Sequence, residues 1–241
     1  MLGNNEDSVL TILPQADLDK IYERSKEKEM ENFLNNSYDN KKKLNREHPK
    51  FDREKIMKAT TMLLEAIGED PERPGLVGTP DRVARMWEEM FEGMAYSNDD
   101  IAKMFNTCFD TNEDNEDLVT IMNIPVFSTC EHHLALMYDM TVSIGYIPRK
   151  GKVIGLSKAA RVAEMCAHRV QLQEKLGEDI ADVMMKILDT PDVIVVIRGK
   201  HSCMTARGAK SNAVTKTATL KGRFKTVSDL RKEFYSLLDN N

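Results

Sequence analysis

Two short segments of the chain carry residue types that bind metals. The first is Cys130–Glu131–His132–His133, in which one turn can aim a thiol and an imidazole at the same ion. Two such groups do not hold zinc, so the segment needs a third ligand from elsewhere. The second segment, His201–Ser202–Cys203–Met204–Thr205–Ala206–Arg207–Gly208, can supply it. If that segment is extended, side-chain alternation puts His201, Cys203 and Arg207 on one face. Cys203 joining Cys130 and His133 makes three protein ligands and leaves a coordination position for water, the catalytic rather than the structural arrangement. The alternative is a closed four-ligand site that uses His132 or His201. Adjacent histidines reach the same ion with difficulty, whereas a free imidazole beside the centre is a natural proton shuttle near neutral pH.

Two further clusters suit a phosphorylated purine. Gly155–Leu156–Ser157–Lys158–Ala159–Ala160–Arg161 reads as a helix start, where free amides, a hydroxyl, Lys158 and Arg161 make a positively polarised patch for phosphate. Gln173–Glu174 offers a carboxamide and a carboxylate, and a carboxylate can accept from two adjacent donors such as guanine N1 and its exocyclic amine. Taken singly, the first is also an ordinary capped helix with solvated cations, and the second an ordinary surface pair.

The elements that must position these groups begin near Phe51. Ile56, Met57, Met62, Leu63, Leu64 and Ile67 have helical spacing that ends at Gly68–Glu69–Asp70–Pro71. Thr79–Pro80–Asp81–Arg82 reads as an N-cap threonine, a first-turn proline and an acid, opening a helix that turns Val83, Met86, Trp87, Met90 and Phe91 inward. Strands are expected from Leu118 to Thr129, Met140 to Ile147, Asp192 to Ile197 and Ala213 to Leu220. A long helical region from Ser157 to Leu188 breaks around Val170 to Gln173, and a helix closes the chain from Ser228 to Leu238. Hairpin strands with segregated helices predict an α+β fold built on an antiparallel sheet.

Residues 1–50 differ in composition, rich in Lys, Glu, Asp and Asn, with a helix expected from Asp17 to Phe33 around Leu18, Ile21 and Tyr22. They read as a charged extension ahead of a domain over 51–241, helical over 51–115 and catalytic over 116–241. A net charge of −5 argues against general nucleic-acid or membrane-surface binding, while leaving room for a local basic pocket. No apolar run has bilayer length and Met1 to Gln15 lacks a basic, then apolar, signal pattern, so a cytoplasmic location is expected. Four scattered cysteines are too few for a disulfide scaffold and point to metal or catalysis.

Read together and in order, Gly75–Met86, Ser128–Leu134, Gly155–Arg161, Val170–Leu176 and His201–Gly208 resemble GTP cyclohydrolase I from about Arg53 to Leu238. The resemblance implies zinc held by Cys130, His133 and Cys203, with His132 protonating N7 of the purine and His201 orienting or relaying protons for the attacking water. It further implies that Ser157, Lys158, Arg161 and Arg207 hold the triphosphate of GTP, with Arg82 and Arg85 adding to that site. Gln173 and Glu174 would read guanine, from a neighbouring subunit. The implied reaction opens the purine at C8, releases formate and yields 7,8-dihydroneopterin triphosphate, at the head of pterin and folate synthesis. The implied architecture is a tunnelling fold, with a sheet carrying helices on one side and joining its copies into a barrel, as a decamer of two pentamers with shared active sites. Val170, where the family often has proline, and Leu134–Ala135–Leu136 depart from the family's frequent forms without touching a ligand. A zinc-stabilised nucleotide-binding protein without turnover is the alternative from another class. A nitrile reductase of the same fold is disfavoured by the complete ligand set.

Overall fold

A computed structural model describes residues 51–111 and 116–239. The helix expected from Asp17 to Phe33 lies outside the described residues. Helix α1 (Arg53–Ala66) starts at Asp52, whose carboxylate accepts from the Lys55 amide at 2.9 Å as a capping side chain does. Its apolar spacing does not produce a covered face. Met62, Leu63 and Ile67 are exposed, because α1 packs mainly on the next helix.

That helix, α2 (Thr79–Met90), is capped by Gly78 and not by Thr79, which is already its first helical residue. The expected N-cap is therefore off by one, and no side chain caps this end. Ala84 is the residue α2 buries. Met86, expected inward, is exposed, and Trp87 is half-buried against Phe91 at a ring separation of 5.9 Å. A short 3₁₀ turn (Glu92–Ala95) leads to α3 (Asn98–Met104), opened by a capping box between Ser97 and Asp100.

The main sheet has the order β5–β2–β3–β6–β7. Strands β2 (Val119–Cys130) and β3 (Ala135–Tyr146) form a hairpin, and β6 (Val193–His201) and β7 (Thr215–Leu220) extend it, all antiparallel. The short β5 (Val170–Gln171) pairs parallel with β2, so the sheet is mixed where a purely antiparallel one was expected. A separate pair joins β1 (Cys108–Asp110) to β4 (Lys152–Ile154). Helices α4 (Leu156–Ala167) and α5 (Gln173–Leu188) flank β5, so the long helical region breaks where its spacing said it would.

Helix α5 lies close on the sheet. A Cβ at Gly177 would stand 2.6 Å from the Thr219 hydroxyl and 3.7 Å from Ile197, and only glycine permits that approach. The chain closes with a one-turn α7 (Arg223–Thr226) and α8 (Ser228–Asp239). Phe224 and Phe234 pack there with Ile147 and Ile194, and Val196 joins from β6. Ile194 and Val196 point to the opposite face of β6 from Ile197. Hence α8 and α5 cover opposite faces, and the helices are not confined to one side as expected.

Candidate metal centre

Register decides which residues meet. Cys130 pairs with Ala135 across the hairpin and with Gln171 across β5, while His201 pairs with Met137 one strand over. Both ligand-bearing segments therefore arrive at the same end of the sheet. Glu131–Leu134 form the turn between β2 and β3, closed by the Leu134 amide donating to the Cys130 carbonyl at 3.0 Å. Leu134 takes a φ of 50°, an unusual conformation for a branched residue and the one that reverses the chain directly after the histidines.

The second segment is not extended as far as expected. Strand β6 stops at His201, and Ser202–Thr205 form a single helical turn, α6. Cys203 is delivered by that turn and not by strand alternation, so positions 201 to 207 do not share a pleated face. The Tyr138 hydroxyl reaches the Thr205 hydroxyl at 3.2 Å and ties the turn to β3. The result still unites Cys130, His133 and Cys203. One ligand atom from each lies within 4.8 Å of the others, and this is the one such group among the described residues.

These residues fit zinc by their donor chemistry. Two sulfurs held at about 2.3 Å in a tetrahedron stand about 3.8 Å apart, inside that span. Burial, then the neighbouring Cys130 thiol, pushes the Cys203 thiol above its ordinary range, while Arg207 pulls the other way. Two crowded thiols with a cation nearby are a combination that a soft divalent ion relieves. Neither His132 nor His201 belongs to the three-ligand group, and the His132 ring sits 6.2 Å from that of His133.

His201 is half-buried at the end of β6, and burial lowers its basicity while the Glu174 carboxylate acts in the opposite sense. Its Nε2 lies 3.0 Å from Oε1 of Gln173. Gln173 is itself buried, whereas Glu174 beside it is exposed. The two expected base readers therefore have different surroundings.

Of the expected phosphate group, Ser157, Lys158 and Arg161 lie apart from the candidate metal ligands within the chain, whereas Arg207 acts on the Cys203 thiol. Helix α4 meets β2 through its C-terminal end, where the Ser128 hydroxyl donates to the Ala167 carbonyl at 2.7 Å. Ser157, in the first turn, stands about 15 Å up the helix from Ala167 at 1.5 Å per residue. No hydrogen bond or ion pair joins Ser157, Lys158 or Arg161 to the ligand group, and Lys158, Arg161 and Arg207 have no acidic partner among the described residues. Arg85, by contrast, pairs with Asp81 at 2.9 Å.

One organising residue escaped the sequence reading. Arg169, at the α4–β5 corner, donates to the Gly93 and Tyr96 carbonyls, to Asn98 and to Asp179 at 2.8–3.1 Å. Its guanidinium fixes where β5 starts, and so where Gln171 meets Cys130. A Cβ at Gly93 would stand 2.1 Å from the Met165 carbonyl, which is why the 3₁₀ turn can come this close. A lone arginine in a helix break gives no sequence signal, since its partners lie up to 76 residues away.

A candidate three-ligand thiol–imidazole centre with two imidazoles outside the ligand group and cations without acidic partners among the described residues, on an α+β scaffold, is the equipment of a metal-assisted hydrolase. Comparison with known proteins narrows this. The family model for GTP cyclohydrolase I matches residues 56–239. The GTP cyclohydrolase 1 of Clostridium acetobutylicum is 52% identical over 191 residues, covering 78% of this chain and 97% of that one. That of Clostridium botulinum strain Kyoto is 55% identical over 169 residues, 68% of this chain and 86% of its own. That of Ruminiclostridium cellulolyticum is 49% identical over 192 residues, 78% and 98%. The chain belongs to the GTP cyclohydrolase I family. Among the described residues, no helix is long and apolar enough to cross a membrane.

Proposed function

We propose that the chain converts GTP, by hydrolysis at C8 of the guanine with release of formate, to 7,8-dihydroneopterin triphosphate. The observation that carries this reading is the convergence of Cys130, His133 and Cys203 within 4.8 Å, in a chain of this family. Zinc bound by those three residues supplies a Lewis acid that brings the acidity of water toward neutrality.

The remaining work belongs to side chains of the protein. His132 delivers a proton to N7, which drains the ring and makes C8 electrophilic. His201 orients the attacking water and relays its proton, a role suited to an imidazole. Lys158, Arg161 and Arg207, with Ser157, hold the triphosphate, and this contact positions the base without taking part in bond breaking. Glu174 accepts from guanine N1–H and the exocyclic amine, and Gln173 borders the same end of the site.

The separation of Ser157 from the ligand end of the sheet supports a site shared between copies of the chain, in a decamer of two pentamers. The exposed Met62 and Leu63 on α1 and Ile67 just after it, and the positions of β5 and β7 at the edges of the sheet among the described residues, support such packing. The domain over 51–241 would act in the cytoplasm, with residues 1–50 as an appended extension, and feed pterin and folate synthesis.

Formate and pterin absorbance from GTP, followed before and after chelation and zinc return, test the reading. Zinc-dependent appearance of both is expected. His132→Ala should lose about 10²–10⁴-fold in turnover while keeping its metal. GTP binding without either product would overturn the proposal in favour of a nucleotide-binding protein.

A further inference from the structure

We infer that Gln173 is a positioning residue whose carboxamide holds His201 as the Nε2–H tautomer, leaving Nδ1 as the ring's proton acceptor. This rests on the proposed reaction for its functional meaning, although the tautomer of the neutral ring follows from geometry alone.

The amide nitrogen of Gln173 lies 3.2 Å from the Ile197 carbonyl, 3.3 Å from the Thr215 carbonyl and 3.2 Å from the Thr217 hydroxyl. Two of these three partners are backbone carbonyls, which only accept. The atom among them must therefore be the donor, and turning the amide over would set its oxygen against two carbonyl oxygens. The oxygen is thus fixed on the other side, 3.0 Å from Nε2 of His201. An amide oxygen cannot donate, so the proton between them belongs to His201.

The surroundings hold this arrangement in place. Gln173 is 1% exposed, at the start of α5 and capable of little rotamer change. The same amide bridges Ile197 of β6 and Thr215 and Thr217 of β7. Hydrogen bonding at one imidazole nitrogen determines what the other can do. In its neutral form a ring fixed in this way presents an unprotonated Nδ1, which suits a residue that takes a proton from water. Gln173 acts through His201, and base recognition is left to the exposed Glu174.

The test uses zinc-loaded full-length protein with ¹⁵N-histidine and solid-state ¹⁵N spectra. The five histidines make assignment by single substitution practical. The expected wild-type signature for His201 is a protonated, pyrrole-type Nε2 and an unprotonated, pyridine-type Nδ1. In Gln173→Met, which keeps the shape and removes the amide, the His201 signal should spread over both tautomers. Its kcat should fall about 10–100-fold, as for other residues that orient a functional imidazole, with KM for GTP and zinc content near wild type.

A wild-type His201 protonated at Nδ1 would overturn the inference outright, even if Gln173→Met fails to fold. A rise in KM with kcat unchanged would also overturn it and return Gln173 to base reading. Failure of the wild type to release formate would sink the proposed reaction instead, and the spectrum would still decide the tautomer.

Discussion

The two ends of strand β6 are held by different forces. At its start, Val193, Ile194, Val195 and Ile197 are fully buried, and Ile194 meets Phe224 and Phe234 under α8. Side-chain packing there depends little on direction, because apolar contact rewards removal of area from water more than angle. At its finish, the chain is half-exposed from Arg198 onward apart from Gly199, and polar contacts position it. Gln173 touches His201, Tyr138 reaches Thr205, and Lys200 pairs with Asp139 at 2.9 Å. One end contributes most to whether the sheet exists. The other decides, to fractions of an ångström, where a ring nitrogen and a sulfur point. The difference teaches that stability and site geometry are separable in this strand.

The largest break in that comparison is expected at the site end. Cys203→Ala should reduce turnover to background and drop zinc well below one per chain, measured by formate release and metal analysis. The metal-free forms of wild type and variant should unfold at nearly the same denaturant concentration, since Cys203 is half-buried and adds little to the core. A large loss of stability in the metal-free variant would show that the two ends are not separable. At the core end, Phe234→Ala should cost about 3–5 kcal/mol in urea unfolding, with kcat at low temperature close to wild type. A kcat loss beyond the unfolded fraction would again couple the ends.

The smallest effect concerns Cys166, a fully buried thiol on α4 whose pKa burial pushes up to about 12. An unfolded chain releases that proton near pH 9.0, and the folded chain does not. Its contribution to stability is therefore complete below pH 9.0 and is lost as pH rises toward about 12. Unfolding midpoints measured over that window should fall less steeply in Cys166→Ala. Equal slopes would remove Cys166 as a source of the alkaline loss.

Much of this was legible in the residues. Soft ligands announce themselves by type, so Cys130, His133 and Cys203 could be grouped from the sequence, and the break between α4 and α5 followed from lost helical spacing. Three features were not legible, each for a physical reason. Cys203 was expected on a strand, but the chain turns helical at Ser202, where Tyr138 holds the turn from another strand. Met86 was expected inward because periodicity marks a face as apolar without saying what covers it. Gln173, an ordinary surface amide taken singly and a guanine reader by resemblance, has four partners on β6 and β7, 24 to 44 residues away, that local spacing does not reveal.

By itself, the sequence determined the chemistry available, since ligand type, charge and helical or strand spacing are local properties. It also determined the family, through ordered motifs that only a shared ancestor arranges in this way. The tertiary structure alone decided which nitrogen of His201 carries the proton and which cations stand apart from the metal ligands. Those outcomes depend on distances between groups far apart along the chain, and a hydrogen bond is set by tenths of an ångström that no spacing rule encodes.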